Sequence, residues 1–227
     1  MLKNIDYQKG HRKRLRKKCI LGKGQPLLDY EILELILYSA YQRIDVKPIA
    51  RELMKRFGSF AGVFNADIDD LKNVEMVGDS AVAVILCVKE ALARILKEDM
   101  KELPIVNNSQ KLVNYLKVSI GQASKEKSRI IYMNKKCGVI ADDLQDIGTV
   151  DQTPLYVREV IKRALAISAS SIVLSHNHPS GDGHPSSGDI AITKQLNYAC
   201  QSMDITLIDH IIITARDYFS FKEKGLL

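Results

Sequence analysis

The sequence lacks any apolar run long enough to cross a bilayer, and its opening residues, MLKNIDYQKGHRKRLRKK, lack the apolar stretch of a signal peptide. Its four cysteines are widely scattered, and no two of them have CxxC spacing. These absences argue against a membrane-spanning protein, a disulfide framework and a four-thiolate zinc site. The chain is therefore predicted to be a cytoplasmic protein with reduced thiols and no membrane partner.

The composition is that of a globular chain with one basic end. Hydrophobic residues make up 46% of the 227 positions, which is enough for a core and unlike a disordered chain. The formal net charge is +6, but residues 1–24 contain nine Lys or Arg and one Asp, so they carry +8 and the rest of the chain carries −2. The basic character therefore belongs to this segment and not to the fold.

The basic segment has two interpretations. It can bind nucleic acid by neutralising phosphates, or it can be a solvated charge run without a partner. The residues that would contact nucleic acid are Arg12, Lys13, Arg14, Arg16, Lys17 and Lys18. The charge run alone does not decide between the two.

Residues 25–100 are predicted to form an all-helical domain. LLDYEILELILYSA, VKPIARELMKRFG and DSAVAVILCVKEALARILKE have helical apolar periodicity, and no β-alternation occurs among them. Gly58 is a natural helix end. Pro104, with the polar cluster that follows it, indicates a linker over residues 101–108.

Residues 109–227 have a different character and are predicted to form an α/β domain. SRIIYMN, SSIVLS, ITLID and HIIIT are rich in branched residues and typical of strands. LYVREVIKRALAI and GDIAITKQLNYACQSM are typical of amphipathic helices. Strands that alternate with helices indicate the α/β class.

The stretch SHNHPSGDGHPSSGD, residues 175–189, contains three of the five histidines. His176 and His178 stand at the end of a predicted strand, where an extended backbone projects residues i and i+2 to the same side. Ser186 and Asp189 have the spacing of a capping box, which places Asp189 in the first turn of the next helix. Two imidazoles and one carboxylate would hold tetrahedral zinc with its fourth position open, as in catalytic sites.

Each of these residues also has an ordinary interpretation. A single histidine is usually a surface or core residue, and an aspartate at a helix start is usually a cap. The metal site is favoured because the residues occur together, with His-x-His at a strand end. His184, in the middle of the loop, is predicted to be exposed or to face a substrate, and Asp182 is predicted to be a turn residue.

The spacing of His176, His178, Ser186 and Asp189 resembles the JAMM (MPN+) metalloprotease signature H-x-H-x7-S-x2-D at every fixed position. The surrounding LSHNHPSGDGHPSSGDIAIT, together with LIDHIII and YFSFKEKGLL, resembles the bacterial RadC family, and the similarity extends over nearly the whole chain. The resemblance implies a mixed sheet flanked by helices, of the cytidine-deaminase-like kind, behind a helical amino-terminal domain. It also implies that the two histidines and the aspartate bind Zn²⁺.

The resemblance implies catalytic roles for two further residues. Ser186 would donate a hydrogen bond to the oxyanion of a tetrahedral intermediate. JAMM enzymes use a glutamate near the first strand as general base, and Glu126, just ahead of SRIIYM, matches it best. The alternative for Glu126 is a solvated charge among lysines. Glu159 is the alternative base, although on a helix it more simply pairs with Arg163 four residues later.

Two other features follow from the resemblance. Asp209 and His210, predicted to lie between two strands, would either orient a metal ligand or form a structural turn.

The helical domain resembles a helix-hairpin-helix module, which binds DNA phosphates at a G-x-G turn. Here Gly78 is present, but Met76 stands where the first glycine would be, and Asp79 would repel phosphate. A packing role for these helices is therefore favoured.

Three functions are consistent with the sequence. The first, which we prefer, is a zinc-dependent hydrolase of the JAMM type that cleaves an amide bond in a peptide or protein substrate. The second is a DNA-binding, repair-associated accessory protein whose metal loop is not catalytic. The third is a metal-dependent nuclease.

Overall fold

The computed structural model describes residues 10–42, 44–101, 109–145 and 155–227. The chain divides into two compact units after Glu90. Most of the predicted linker, residues 102–108, lies outside the described residues, and so do residues 1–9 of the basic segment. Within the described ranges no helix is long and apolar enough to span a membrane.

The described residues of the first unit form helices and no strand. Their bounds are α1 His11–Leu21, α2 Asp29–Leu37, α3 Lys47–Phe57, α4 Phe60–Asn65 and α5 Ile68–Lys72, and α6, Asp79–Lys101, continues beyond Glu90. Helix α3 has Pro48 in its first turn and ends at Gly58, whose φ of 74° lies in the left-handed region that glycine favours. The apolar faces of these helices form one core, which includes Leu33, Leu53, Leu71 and Ile85.

The described part of the basic segment contains helix α1, which is anchored within the first unit. Nε2 of His11 lies 2.7 Å from Oε2 of the buried Glu34. The Arg12 guanidinium donates hydrogen bonds to two main-chain carbonyls beyond α2, and Lys18 pairs with Glu31 at 2.6 Å. At least two of the six candidate nucleic-acid residues therefore have partners inside the chain. Nucleic-acid binding by this segment stays a prediction.

The turn before α6 has a glycine-like backbone at a position that carries a side chain. Met76 has a φ of 65° and is half exposed. Its carbonyl accepts a hydrogen bond from the Tyr41 hydroxyl. Asp79, the first residue of α6, pairs with Lys72 at 2.7 Å. The turn is thus held by contacts within the chain, and the packing role of these helices stays a prediction.

The second unit contains a mixed sheet flanked by helices, as the resemblance implied. The elements are α7 Ser109–Ser119, β1 Ser128–Met133, β2 Val139–Gln145, α8 Val157–Ala166, β3 Ser171–Asn177, α9 Ser187–Gln201, β4 Thr206–Ile213 and β5 Tyr218–Ser220. The strand order is β2-β1-β3-β4-β5, in which β3 and β4 are parallel and the other neighbours are antiparallel. Alternate residues of the central strands pack against α7 on one face and against α8 and α9 on the other.

Asp209 and His210 lie inside strand β4, so the prediction of a turn between two strands is wrong. The buried Asp209 carboxylate accepts hydrogen bonds from the Ser220 hydroxyl at 2.6 Å and the Lys222 amide at 3.0 Å. Burial raises the pKa of Asp209, and these bonds only partly oppose that effect. A carboxylate can therefore stand within a buried strand, and it holds the segment around β5 against the sheet.

Candidate metal centre

Strand β3 carries two histidines of the candidate site at its carboxyl end. It pairs with β1 on one side and with β4 on the other, so its backbone is fixed from both sides. His176 is in the strand, and His178 follows the last strand residue, Asn177. The Nε2 atoms of the two histidines lie 2.9 Å apart. The alternation expected from the sequence thus brings both rings to one point.

Helix α9 places Asp189 at the same point through its capping box. The Ser186 hydroxyl accepts a hydrogen bond from the Asp189 amide at 3.1 Å, and the Asp189 carboxylate accepts one from the Ser186 amide at 2.7 Å. The carboxylate oxygens lie 3.0 Å from Nε2 of His176 and 3.4 Å from Nε2 of His178. Burial opposes ionisation of Asp189, but its close contacts with His176 and His178 outweigh that effect and hold the pKa of Asp189 well below its usual range.

Glu126, in the irregular segment before β1, contributes a fourth ligand-type atom. Its Oε1 lies 3.8 Å from Nε2 of His176. One side-chain atom from each of Glu126, His176, His178 and Asp189 lies within 4.8 Å of the other three. The structure therefore brings the predicted base and the three predicted ligands together from three separate parts of the chain.

The hydrogen bonding of His178 determines which of its ring nitrogens carries hydrogen. Nδ1 lies 2.7 Å from the main-chain oxygen of Asp182, which can only accept. Nδ1 is therefore the donor, and in the neutral ring Nε2 directs a lone pair at the centre. A hydrogen bond with Asp189 raises the pKa of His178, so the centre favours a positive charge, whether a proton or a metal ion.

A chain of hydrogen bonds orients His176 in the same way. The Thr193 hydroxyl donates to the main-chain oxygen of Asp189, so its own oxygen accepts from Nδ1 of His210, 2.6 Å away. Burial lowers the pKa of His210 well below its usual value, and the neutral ring accepts at Nε2. Nδ1 of His176, 2.8 Å from that atom, is therefore the donor, and Nε2 of His176 directs its lone pair at the centre.

These hydrogen-bond assignments leave two nitrogen lone pairs facing each other beside a carboxylate. The arrangement is repulsive unless a cation lies among the three groups. Tetrahedral ligands about 2.0–2.2 Å from zinc are about 3.3–3.6 Å from one another. The separations here, 2.9, 3.0 and 3.4 Å, are close to that range. The donor atoms and their geometry therefore fit a small divalent metal ion.

Ser186 has one hydroxyl for two roles. As the cap of α9 it accepts from the Asp189 amide, and its hydrogen is donated to Oδ2 of Asp189 at 2.7 Å. That hydrogen must turn away from the carboxylate before it can be donated to a substrate oxyanion. The catalytic role of Ser186 therefore stays a prediction.

The remaining charged candidates lie outside the group of four. The side chain of His184 is 87% exposed and pairs with Asp182 at 2.8 Å. Glu159, on the surface of α8, pairs with Lys162 at 3.5 Å, whereas Arg163 pairs with a carboxylate of β2. The predicted pair between Glu159 and Arg163 is wrong because the arginine reaches across to the neighbouring strand.

Sequence reasoning missed Thr193 and left His210 undecided. Thr193 follows Asp189 by four positions on one helix face, and this spacing is a signal that could have indicated it. Its role depends on β4 lying beside β3, which brings His210 next to His176. Phe221 stacks on His210 with ring centroids 4.7 Å apart and helps to exclude water from it.

Comparison with known proteins agrees with this architecture. Residues 106–226 match the family described as RadC-like JAB domain. A UPF0758 protein of Ruegeria pomeroyi is 38% identical over 221 residues, which cover 97% of this chain and 99% of the relative. A UPF0758 protein of Rhodobacter capsulatus is 40% identical over 213 residues, which cover 94% of this chain and 100% of the relative.

The fold and the site define a JAB-domain protein with a candidate metal centre. More particularly, the chain belongs to the RadC family, as its motifs indicated.

The hydrogen-bonded chain behind His176 gives a first prediction. Thr193→Val removes the acceptor for Nδ1 of His210 with little change in volume, so His176 is no longer held in one tautomer. Zinc affinity is expected to fall by about 10–100-fold, the usual effect of removing such a partner. Competition with a chromogenic chelator measures it. Thr206→Val, at an exposed position of β4, is the control and should leave the affinity unchanged. Equal affinities in the two variants would contradict the tautomer assignment.

Proposed function

We propose that the protein is a zinc-dependent hydrolase of the JAMM type, which cleaves a peptide or isopeptide-like amide bond in the cytoplasm. The observation that supports this best is the convergence of two histidine lone pairs and one carboxylate, with the carboxylate of Glu126 3.8 Å from His176. Three protein ligands are typical of catalytic zinc. A general base must lie close to the attacking water, and Glu126 supplies a further carboxylate close to the three ligands.

Zinc held by His176, His178 and Asp189 would supply a Lewis acid and lower the pKa of water to about 7. The chain's own residues supply the other functions. Glu126 accepts the proton of the attacking water and returns it to the leaving amine nitrogen. The Ser186 hydroxyl, once turned from Asp189, donates to the oxyanion. Each ligand side chain makes a hydrogen bond with a residue outside the group of four, so the ligand atoms are in place before the ion binds.

The test compares zinc-loaded protein with the same protein after chelation. We expect a single zinc ion per chain and cleavage of members of a labelled peptide library. Chelation should abolish that cleavage, and added zinc should restore it. Labelled DNA assayed in parallel addresses the alternatives. Zinc-dependent cleavage of DNA alone would indicate a nuclease, and DNA binding without any cleavage would indicate an accessory protein. Protein that binds no zinc would contradict the proposal.

A further inference from the structure

One side chain ties the segment that carries Glu126 to the strand that carries the histidines. Residues 120–127 connect α7 to β1 and contain neither helix nor strand. Asn177, which is fully buried, accepts a hydrogen bond at Oδ1 from the Lys127 amide at 2.7 Å. Its Nδ2 donates to the main-chain oxygens of Ala123 at 3.1 Å and Lys125 at 3.2 Å.

The partners of Asn177 require an amide at this position. Oδ1 faces an N–H group, and both hydrogens of Nδ2 face carbonyl oxygens, so neither a carboxylate nor an apolar side chain could make the same three bonds. A fourth hydrogen bond is made by the main chain: the N–H group of Asn177 donates to the carbonyl oxygen of Lys127 at 3.2 Å. Glu126 lies between Lys125 and Lys127, both of which are anchored in this way. The irregular segment is therefore held at the residues on either side of the proposed base.

We propose that Asn177 is a positioning residue that sets the place of the Glu126 carboxylate relative to the metal centre. The inference rests on the proposed hydrolase function. Successive side chains of an extended strand point to opposite sides. The two histidines therefore point to the centre, and the asparagine between them points to the segment of the base. One three-residue unit, His176 to His178, thus supplies two of the three proposed ligands and positions the base.

The loss of this anchor should affect turnover more than metal binding. The two histidine rings are oriented by the hydrogen bonds that they donate to His210 and to the Asp182 carbonyl, and neither bond involves Asn177. A catalytic group displaced by about 1 Å can cost about 100-fold in rate. We therefore expect substitution of Asn177 to lower kcat by about that factor and to leave KM and zinc affinity unchanged.

The test uses the full chain with Asn177→Asp, which keeps the size of the side chain and removes both donors. Amide hydrogen exchange in residues 123–127 is expected to become faster, while zinc affinity stays at the parent value. Asn177→Ala buries no charge and should give the same changes, so a folding defect in one variant does not decide the result. Asn114→Asp, on the exposed face of α7, is the matched control and should change none of these quantities.

If Asn177 acts by positioning Glu126, the effect of substituting Asn177 on kcat should depend on the presence of Glu126, whereas a general structural effect should not. In a Glu126→Gln background, Asn177→Asp is expected to cause no further loss of kcat, because the group that it positions is gone. An equal loss of kcat in both backgrounds, or unchanged hydrogen exchange in residues 123–127, would overturn the inference. If the zinc-loaded parent cleaves no peptide, the proposed function fails, and hydrogen exchange alone then decides whether Asn177 holds the segment.

Discussion

Glu126→Gln is expected to lower kcat by about 10²–10⁴-fold, the usual contribution of a general base. Glutamine has the size of glutamate but cannot take the proton of the attacking water. Oε1 of Glu126 lies 3.8 Å from Nε2 of His176, whereas the nearest oxygen of Asp189 lies 3.0 Å from it. Zinc content is therefore expected to stay at a single ion per chain. Steady-state kinetics on a cleaved peptide and metal analysis of the same samples measure both quantities.

Glu159→Gln is the matched control for this substitution. Glu159 is the alternative base suggested by the sequence, and its side chain, 55% exposed on α8, pairs with Lys162. We expect the control to keep the parent kcat. If Glu126→Gln kept full activity while Glu159→Gln lost it, the assignment of the base would be wrong.

His178→Ala is expected to weaken zinc binding by more than the factor of about 10–100 that the loss of a ligand's hydrogen-bonding partner causes. The substitution removes one of the three proposed ligand atoms. The stabilisation of the fold by zinc should disappear with it, since a ligand at about 100 times its Kd adds about 2.7 kcal/mol to the free energy of unfolding. Calorimetric titration with zinc, and Tm measured with and without zinc, give the two results.

His184→Ala, in the same loop, is the control for His178→Ala. The side chain of His184 is 87% exposed and lies outside the group of four. Zinc affinity and the zinc-dependent rise in Tm are expected to match those of the parent. Parent-like zinc binding by His178→Ala would show that the ligands deduced from the lone pairs are wrong.

The local part of the site could be predicted from the sequence because local rules determine it. The alternation of an extended strand brings His176 and His178 to one side. The capping box directs Asp189 towards them from the start of α9. Neither rule needs knowledge of which strands are neighbours. For the fold, the alternation of apolar patterns predicted strands and helices in the second unit, and the resemblance implied the mixed sheet flanked by helices that the structure has.

The residues that support the site could not be predicted, because their roles depend on contacts between distant parts of the chain. His210 contacts His176 only because β4 lies beside β3 in the sheet. Local sequence patterns do not reveal that strand order. Asparagine is common in loops, so the sequence alone does not indicate that Asn177 is a buried anchor. Its three partners lie about fifty positions earlier. Asp209 was expected in a turn because it interrupts an apolar run, and the partner that allows its burial, Ser220, is on a different strand.

The proposed ligands are close together in the sequence, whereas the proposed base is far from them. The proposed ligands all lie in residues 176–189, so they come together by closing a short loop. The proposed base arrives through a contact between Lys127 and Asn177, which are fifty positions apart. Substitutions during evolution would therefore act on the two parts separately, and a relative that lost the carboxylate before β1 would still hold a metal ion. If the proposed roles are right, metal binding and catalytic turnover can be lost independently, and zinc found in a relative does not measure its activity.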